Sequence, residues 1–305
     1  MKDDRMTPPV LAALVAVYFF WGTTYLGMKF AIETLPPFIM LGLRFTVAGA
    51  IMFAWEWVRL RPRITLGQWR GMGMVGALML LGGTGGVAWS EQVVPSNIAA
   101  VVVATVPLWI AVIRWVFLRH DRPERVTIVG LLTGFAGIIM LVVYTSGPSA
   151  AEGYGLGLVV LGFSTFLWSA GSLYSRAADQ PDSPALGISM QMLVGGLLNL
   201  IVGILCNGGS MVPLAEVSVR SAVALAYLVV FGSIVGFSSY IWLLKKTDPA
   251  LASSYAYVNP VVAIILGWLL AGERLNTRSL AATTVILFGV ILIVRGTVRP
   301  PARSS

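Results

Sequence analysis

The chain has 305 residues, 57% of them hydrophobic and only 11% charged, against about 25% charged in a soluble domain, so its surface is too apolar to face water all round. One cysteine (Cys206) and one histidine (His120) exclude a disulfide framework and any Cys/His metal cluster. The net charge of +8 does not call for nucleic acid, because in so apolar a chain the distribution of charge across a membrane matters more than its sum.

The expected fold is an all-α integral membrane protein. Ten apolar runs follow one another, at roughly 10–30, 38–58, 71–90, 97–118, 126–144, 154–174, 185–205, 220–243, 250–271 and 279–294, each near the ~20 residues that about 30 Å of hydrocarbon requires. The first, Val10–Phe30, is too long for a signal-peptide core and is followed by no A-x-A site, so it reads as a permanent span. Pro36-Pro37, Asp121-Arg122-Pro123, Gln180–Pro184 and Asn207–Pro213 punctuate the short connections, since proline and glycine stop or redirect a helix. One side of the membrane collects Arg59, Arg61, Arg63, Arg70, Arg114, Arg119, Arg122, Arg125, Lys245 and Lys246, whereas the other receives Lys29, Arg220, Arg274 and Arg278. The positive-inside rule makes the richer side, and both termini, cytoplasmic, which in a bacterium means the inner membrane.

In the first span Tyr18, Trp21 and Tyr25 are spaced i, i+3, i+7 and share a helical face, with Thr24 beside them. Lys29 and Glu33, at i and i+4 of its far end, are placed to pair, and Glu33 is also a candidate for gating or coupling. Arg44 lies about 6 Å from the centre of the second span by helical rise. A charge there costs at least about 2.5–3.5 kcal/mol unless solvated or paired. It either faces a cavity and receives a substrate carboxylate, or it snorkels outward or pairs with Glu33 or Glu91. Trp89 and Glu91 end the third span; Glu91 either gates or binds an ammonium group at a cavity mouth, or is an interfacial carboxylate. Gly82-Gly83-Thr84-Gly85-Gly86 lacks the Lys-Ser/Thr of a phosphate loop and sits inside a span. Like Gly130/Gly134 and Gly232/Gly236, its four-residue glycine spacing reads as helix packing. No Asp or Glu occupies the centre of a span, which favours facilitated diffusion or exchange over proton or sodium coupling.

Trp168, with Ser169 and Ser172, opens the second half as Trp21 opens the first, and Tyr240 follows Ser238 and Ser239 in the eighth span. A buried Tyr or Trp wants a polar partner, which a water-filled cavity or an amphipathic ligand provides; an aromatic belt at the interface is the alternative, for Trp55, Trp57, Trp69 and Trp89 above all. In the ninth span Ser253, Tyr257 and Asn259 lead up to Pro260. Pro260 and Pro107 each remove a backbone hydrogen bond in mid-span and so are candidates for the binding or gating region, or are tolerated kinks.

Pro107 and Pro260 are 153 residues apart, and so are Trp89 and Trp242, Arg125 and Arg278, and Phe135 and Phe288. The second half (154–296) therefore reads as a copy of the first (1–145), with five spans each. An odd number gives the copies opposite orientations, the inverted repeat on which alternating access is built.

WGTTYL at Trp21–Leu26, PSNIAAVVVATVP at Pro95–Pro107 and ALASSYAYVNPVVAIILGWLLAGERL at Ala250–Leu275 resemble the repeats of the EamA family, in the drug/metabolite transporter superfamily. The resemblance covers essentially the whole chain. The first copy departs from the family ending, with Arg119-His120-Asp121 where the second has Gly272-Glu273-Arg274. The resemblance implies ten helices around a central cavity, the first, third and fourth of each half lining it and the fifth and tenth as scaffold. It also implies export of small metabolites, amino acids being a common class. The expected function is thus a carrier of small amphipathic metabolites, foremost neutral or aromatic amino acids, with no cofactor, no metal, membrane lipid as its surroundings and a monomer as its working unit. A drug or sugar-conjugate carrier and a non-transporting sensor are the alternatives, and no catalytic constellation speaks for an enzyme.

Overall fold

The structure, a computed structural model, describes residues 7–117, 125–145, 152–211, 213–246, 255–272 and 277–298. Within them the chain is helical and contains no strand. Helix α1 (Pro8–Ala31) starts on prolines, whose missing N–H is no loss in a first turn. Helix α2 (Pro37–Leu60) follows Pro36 and ends where Arg61 turns left-handed at φ 44°. The third span joins α3 (Leu66–Gly76), a π-helical stretch (Ala77–Gly85) and α4 (Gly86–Ser90). Thr65 and Gln68 close a capping box at its start, each side chain satisfying the other's backbone N–H at 3.0–3.1 Å. Two short helices, α5 (Ser96–Val103) and α6 (Val106–Val112), lead into a π-helical turn (Ile113–Phe117). Then come α7 (Arg125–Thr145), α8 (Tyr154–Ala177) and α9 (Pro184–Cys206). Helix α10 (Val219–Tyr227), a second π stretch (Leu228–Val235) and α11 (Gly236–Lys246) mirror the third span. Helices α12 (Tyr255–Ala271) and α13 (Thr277–Val298) complete the chain.

Among the described residues, seven helical stretches are long and apolar enough to cross a membrane, and three shorter apolar stretches lie at Ile128–Gly137, Val261–Leu270 and Leu280–Gly289. Large apolar side chains face outward in stripes; Leu11, Val15 and Phe19, four residues apart on α1, are each more than half exposed. A water-soluble protein rarely leaves such stripes open, and the chain is an integral membrane protein.

Packing joins distant parts of the chain. Helix α2 lies along α9, α7 along α13, and α1 against α10, α11 and α12, while α8 packs on the first π stretch. Apolar helices gain nothing from the hydrophobic effect inside lipid, so close backbone approach must hold them. At the α2–α9 contact a Cβ on Gly196 would come within 2.5 Å of the Thr46 nitrogen, and one on Gly42 within 2.5 Å of Leu200 Cγ. Gly196→Val is therefore expected to wedge the pair apart at about 1–3 kcal/mol, read as an earlier loss of monodisperse protein in a thermal ramp.

The two mid-span prolines behave differently. Ahead of Pro107 the helix breaks at Ala104-Thr105, and Thr105 Oγ1 turns back onto the Val102 carbonyl at 2.6 Å. Among the described residues, helix α12 runs without a break from Tyr255 through Pro260 to Ala271. The π stretches take the larger distortion, in the same span of each half; π turns of this kind are rare and concentrate at functional sites.

Candidate functional site

The elements α1, α2, α8, α11, α12, the first π stretch with α4, and the α5–α6 break enclose a cavity of about 80 Å³. That holds a few water molecules and falls well below the roughly 300 Å³ of a small-molecule site. Its wall is mostly aromatic. Trp21 stands at the centre of a cluster, with ring centroids 4.9 Å from Tyr240 and Tyr255, 5.2 Å from Phe237 and 6.5 Å from Trp168. Edge-on contacts dominate, as ring quadrupoles prefer.

The second π stretch organises the polar part of the site. A π turn leaves its carbonyls off the ordinary ladder and so available to others. The Trp21 indole N–H donates to the Gly232 carbonyl at 3.1 Å, and the next residue, Ser233, accepts from Arg44 Nε at 2.9 Å. Gly232 makes room for the guanidinium, since a Cβ there would lie 2.9 Å from Nη2, and Gly236 gives way to the Trp21 indole. Both members of the Gly232/Gly236 pair thus pack against side chains of the site. Arg44 is only 3% exposed and part of the cavity wall, with its guanidinium carbon 4.9 Å from the Phe45 ring centroid. Of the placements the sequence left open, the guanidinium is inside the protein and does not snorkel to an edge.

Glu91 follows α4 and is buried at 3% exposure, within electrostatic reach of Arg44 and Tyr25. An anion there offsets part of the desolvation of a buried cation. The other π stretch has its own bridge: Asn199 of α9, fully buried, donates to the Leu80 and Gly195 carbonyls at 3.2 and 2.7 Å. Asn259, with its amide nitrogen turned to donate, reaches the Tyr255 and Tyr18 carbonyls at 3.2 Å and ties α12 to α1.

Of the residues expected at a site, Trp21, Tyr25, Arg44, Trp168 and Asn259 line the cavity. Tyr240 joins through its ring, while Tyr18 meets Asn259 with its backbone carbonyl and packs its ring into the core. Trp89 is half-buried away from the cavity wall. Glu33 forms an ion pair with Arg220 at 3.0 Å near the end of α1, so its partner comes from α10, 187 residues further along, where helical spacing pointed to Lys29. Ser253 lies outside the described residues, as do the side chains of Tyr257, Pro107 and Pro260. Tyr255, Phe237, Ser233, Thr84 and Ser164 went unrecognised in the sequence. Only Tyr255 had a usable signal, four residues before Asn259 and hence on the same face.

Comparison with known proteins agrees with this architecture. Residues 8–143 and 155–295 each match the EamA-like transporter family. The chain is 37% identical over 300 residues to the uncharacterized inner membrane transporter YedA of Escherichia coli K12, covering 98% of this chain and 95% of that protein. An uncharacterized transporter of Archaeoglobus fulgidus is 25% identical over 289 residues, covering 90% of this chain and 95% of its own length. A solved crystal structure, 20% identical, superposes with a TM-score of 0.64 over 93% of this chain and 96% of that one, a likeness of fold alone.

Proposed function

Because the chain belongs to the EamA-like transporter family, we propose that it is a secondary carrier exporting small amphipathic metabolites across a bacterial inner membrane, with neutral or aromatic amino acids as the leading class. One observation carries the substrate class: a buried guanidinium, Arg44, shares a small cavity with the Trp21, Trp168, Tyr255 and Phe237 rings. A carboxylate would dock on Arg44 as a charge-assisted pair, an ammonium group would find the ring faces, and an apolar side chain would fill the aromatic wall.

The mechanism we propose is alternating access between two inverted five-span halves, residues 1–145 and 154–296, with ten spans in all. The packing pattern supports it, because exchanging the halves maps the pattern onto itself. The first helix of the first half, α1, packs on the third span of the second; α8, the first helix of the second half, packs on the third span of the first. The pairs α2–α9 and α7–α13 each join equivalent helices, and α7 with α13 would serve as scaffold.

The same exchange relates two polar latches. At the end of α1, the Ser218 N–H donates to Thr34 Oγ1 at 3.1 Å, Ser221 Oγ donates to the Phe30 carbonyl at 2.9 Å, and Glu33 holds Arg220. At the end of α8, Thr65 Oγ1 donates to Asp179 and Gln68 Nε2 to the Gln180 carbonyl, both at 3.5 Å. The caps Thr65 and Ser218 are 153 residues apart, the offset of the repeat. In an inverted repeat these latches face opposite sides of the membrane. Both are made here, around a cavity too small for an amino acid, so substrate entry requires one of them to part.

The test is counterflow by purified protein in liposomes, with a panel of labelled amino acids and with or without a pH gradient. Saturable counterflow of neutral or aromatic amino acids that ignores the gradient is the expected result. Flux that follows the gradient would move the coupling role to Glu91, beside Arg44. Absence of flux for every amino acid, with movement of an uncharged solute, would overturn the substrate class and favour the drug or sugar-conjugate carrier. The protein is expected to work as a monomer, since both halves of the cavity come from one chain.

A further inference from the structure

Away from the central cavity, a recess of about 590 Å³ opens where α2 ends and α3 begins. The left-handed Arg61, the one non-glycine residue with positive φ among the described residues, folds the chain back there. Phe53, Trp57 and Val58 of α2 thus face Ile64 and Trp69 across one opening. The Phe53 ring stacks on Trp57 at 5.7 Å and leans on Trp69 at 5.9 Å, giving the recess a fixed aromatic floor. Its volume is within the roughly 300–1,000 Å³ of small-molecule sites, unlike that of the central cavity.

Four arginines flank these residues in the chain, and all are exposed: Arg59, Arg61, Arg63 and Arg70, none of them part of the recess wall itself. Three of them are chain neighbours of wall residues, Arg59 of Val58, Arg63 of Ile64 and Arg70 of Trp69. The nearby acids do little to neutralise the rim. Glu56 is buried and accepts from Ser183 at 2.6 Å, with Arg59 4.0 Å away, and Asp179 takes the Thr65 hydroxyl. Trp55, Val58, Leu60 and Leu66 are exposed around the opening, so the recess is continuous with the apolar belt of a membrane-spanning helix end. A Trp-rich floor belongs at the headgroup level of a bilayer.

We propose that this recess is a binding site for an anionic phospholipid. The arginines hold the phosphodiester, and the Phe53–Trp57–Trp69 floor receives the glycerol and the upper acyl chains. Membrane location selects a lipid over a soluble anion, and four arginines against the two carboxylates of Glu56 and Asp179 leave a net positive charge that selects an anionic headgroup over a zwitterionic one. Arginine suits a phosphodiester better than lysine does, because its planar fork presents two parallel donors. The site does not depend on the transport reading.

The test is native mass spectrometry of the full-length protein in detergent, mixed with equal amounts of phosphatidylglycerol and phosphatidylcholine. Retention of phosphatidylglycerol in excess is expected. Arg59→Gln/Arg63→Gln is expected to lower that preference by at least about tenfold, at a few-fold per arginine near a membrane surface. The charge-matched control Arg114→Gln/Arg125→Gln should leave it in place, and Trp69→Ala should weaken retention of both lipids. Equal retention of the two lipids by the unaltered protein would overturn the proposal, and so would an equal loss in the control pair. Displacement of the lipid by millimolar inorganic phosphate would make this a soluble-anion site and equally overturn it.

Discussion

Arg44→Gln is expected to cost the carrier about ten- to a hundredfold in kcat/KM for carboxylated substrates while leaving flux of an uncharged analogue nearly unchanged. The estimate follows from a charge-assisted hydrogen bond, about 1.5–3 kcal/mol when one partner is removed. Arg44 is a cation at 3% exposure that donates to a neutral hydroxyl, that of Ser233, with Glu91 as the anion within electrostatic reach. Removing one member of a buried pair leaves the other charge, here Glu91, uncompensated, which is destabilising, so the variant should also melt lower than the unaltered protein. Arg44→Lys should recover part of the activity, because it returns the charge without the planar fork. The measurement is paired: counterflow of an amino acid against that of its amide, with a thermal ramp alongside. Equal losses for acid and amide would remove the carboxylate role from Arg44 and leave it a packing residue of the α2–π-stretch contact.

A covalent lock at either latch should stop transport altogether. Thr34→Cys/Ser218→Cys places two thiols where a side chain now bonds a backbone N–H at 3.1 Å, close enough for the 4.4–6.8 Å Cα separation of a disulfide. Thr65→Cys/Asp179→Cys places the matching pair at the other end, to be bridged by a short bis-thiosulfonate. Cys206, which is exposed, is first changed to Ser. In alternating access every cycle opens each end once, so bridging either pair is expected to remove more than about nine-tenths of the flux, and reductant to restore it. The two locks should differ in binding, each leaving the cavity accessible only from the opposite side. Flux that persists with both pairs bridged would rule out these contacts as gates.

The two results test different layers of the protein, and those layers were not equally legible. The span positions could be read directly, because crossing a bilayer is a transfer free energy summed over about 20 neighbouring residues, a local property. The near-copy of the first half in the second was likewise open to reading, as a constant offset of 153 between landmarks such as Trp89 and Trp242. Trp21 and Tyr25 could be placed together because helical periodicity fixes which residues share a face. Where local spacing was asked to choose a partner, it failed. It offered Lys29 to Glu33, yet the ion pair is with Arg220, whose guanidinium also lies 3.7 Å from the Phe30 ring centroid.

By itself the sequence determined a helical membrane protein, its apolar runs, its two similar halves and its family. Tertiary structure alone decided that Arg44 turns inward onto Ser233, 189 residues away, that Trp21 donates to Gly232, and that Asn199 bridges to the other π stretch. The physical reason lies in how each is encoded. Hydropathy and periodicity are additive along the chain, whereas a buried polar group is satisfied by whichever carbonyl or hydroxyl packing brings within about 3 Å. The π stretches that free those groups carry no composition of their own. They meet neighbouring helices at glycines, Gly82 and Gly83 against α8 and Gly232 against Arg44 and Thr24, and those contacts are settled only when the helices meet.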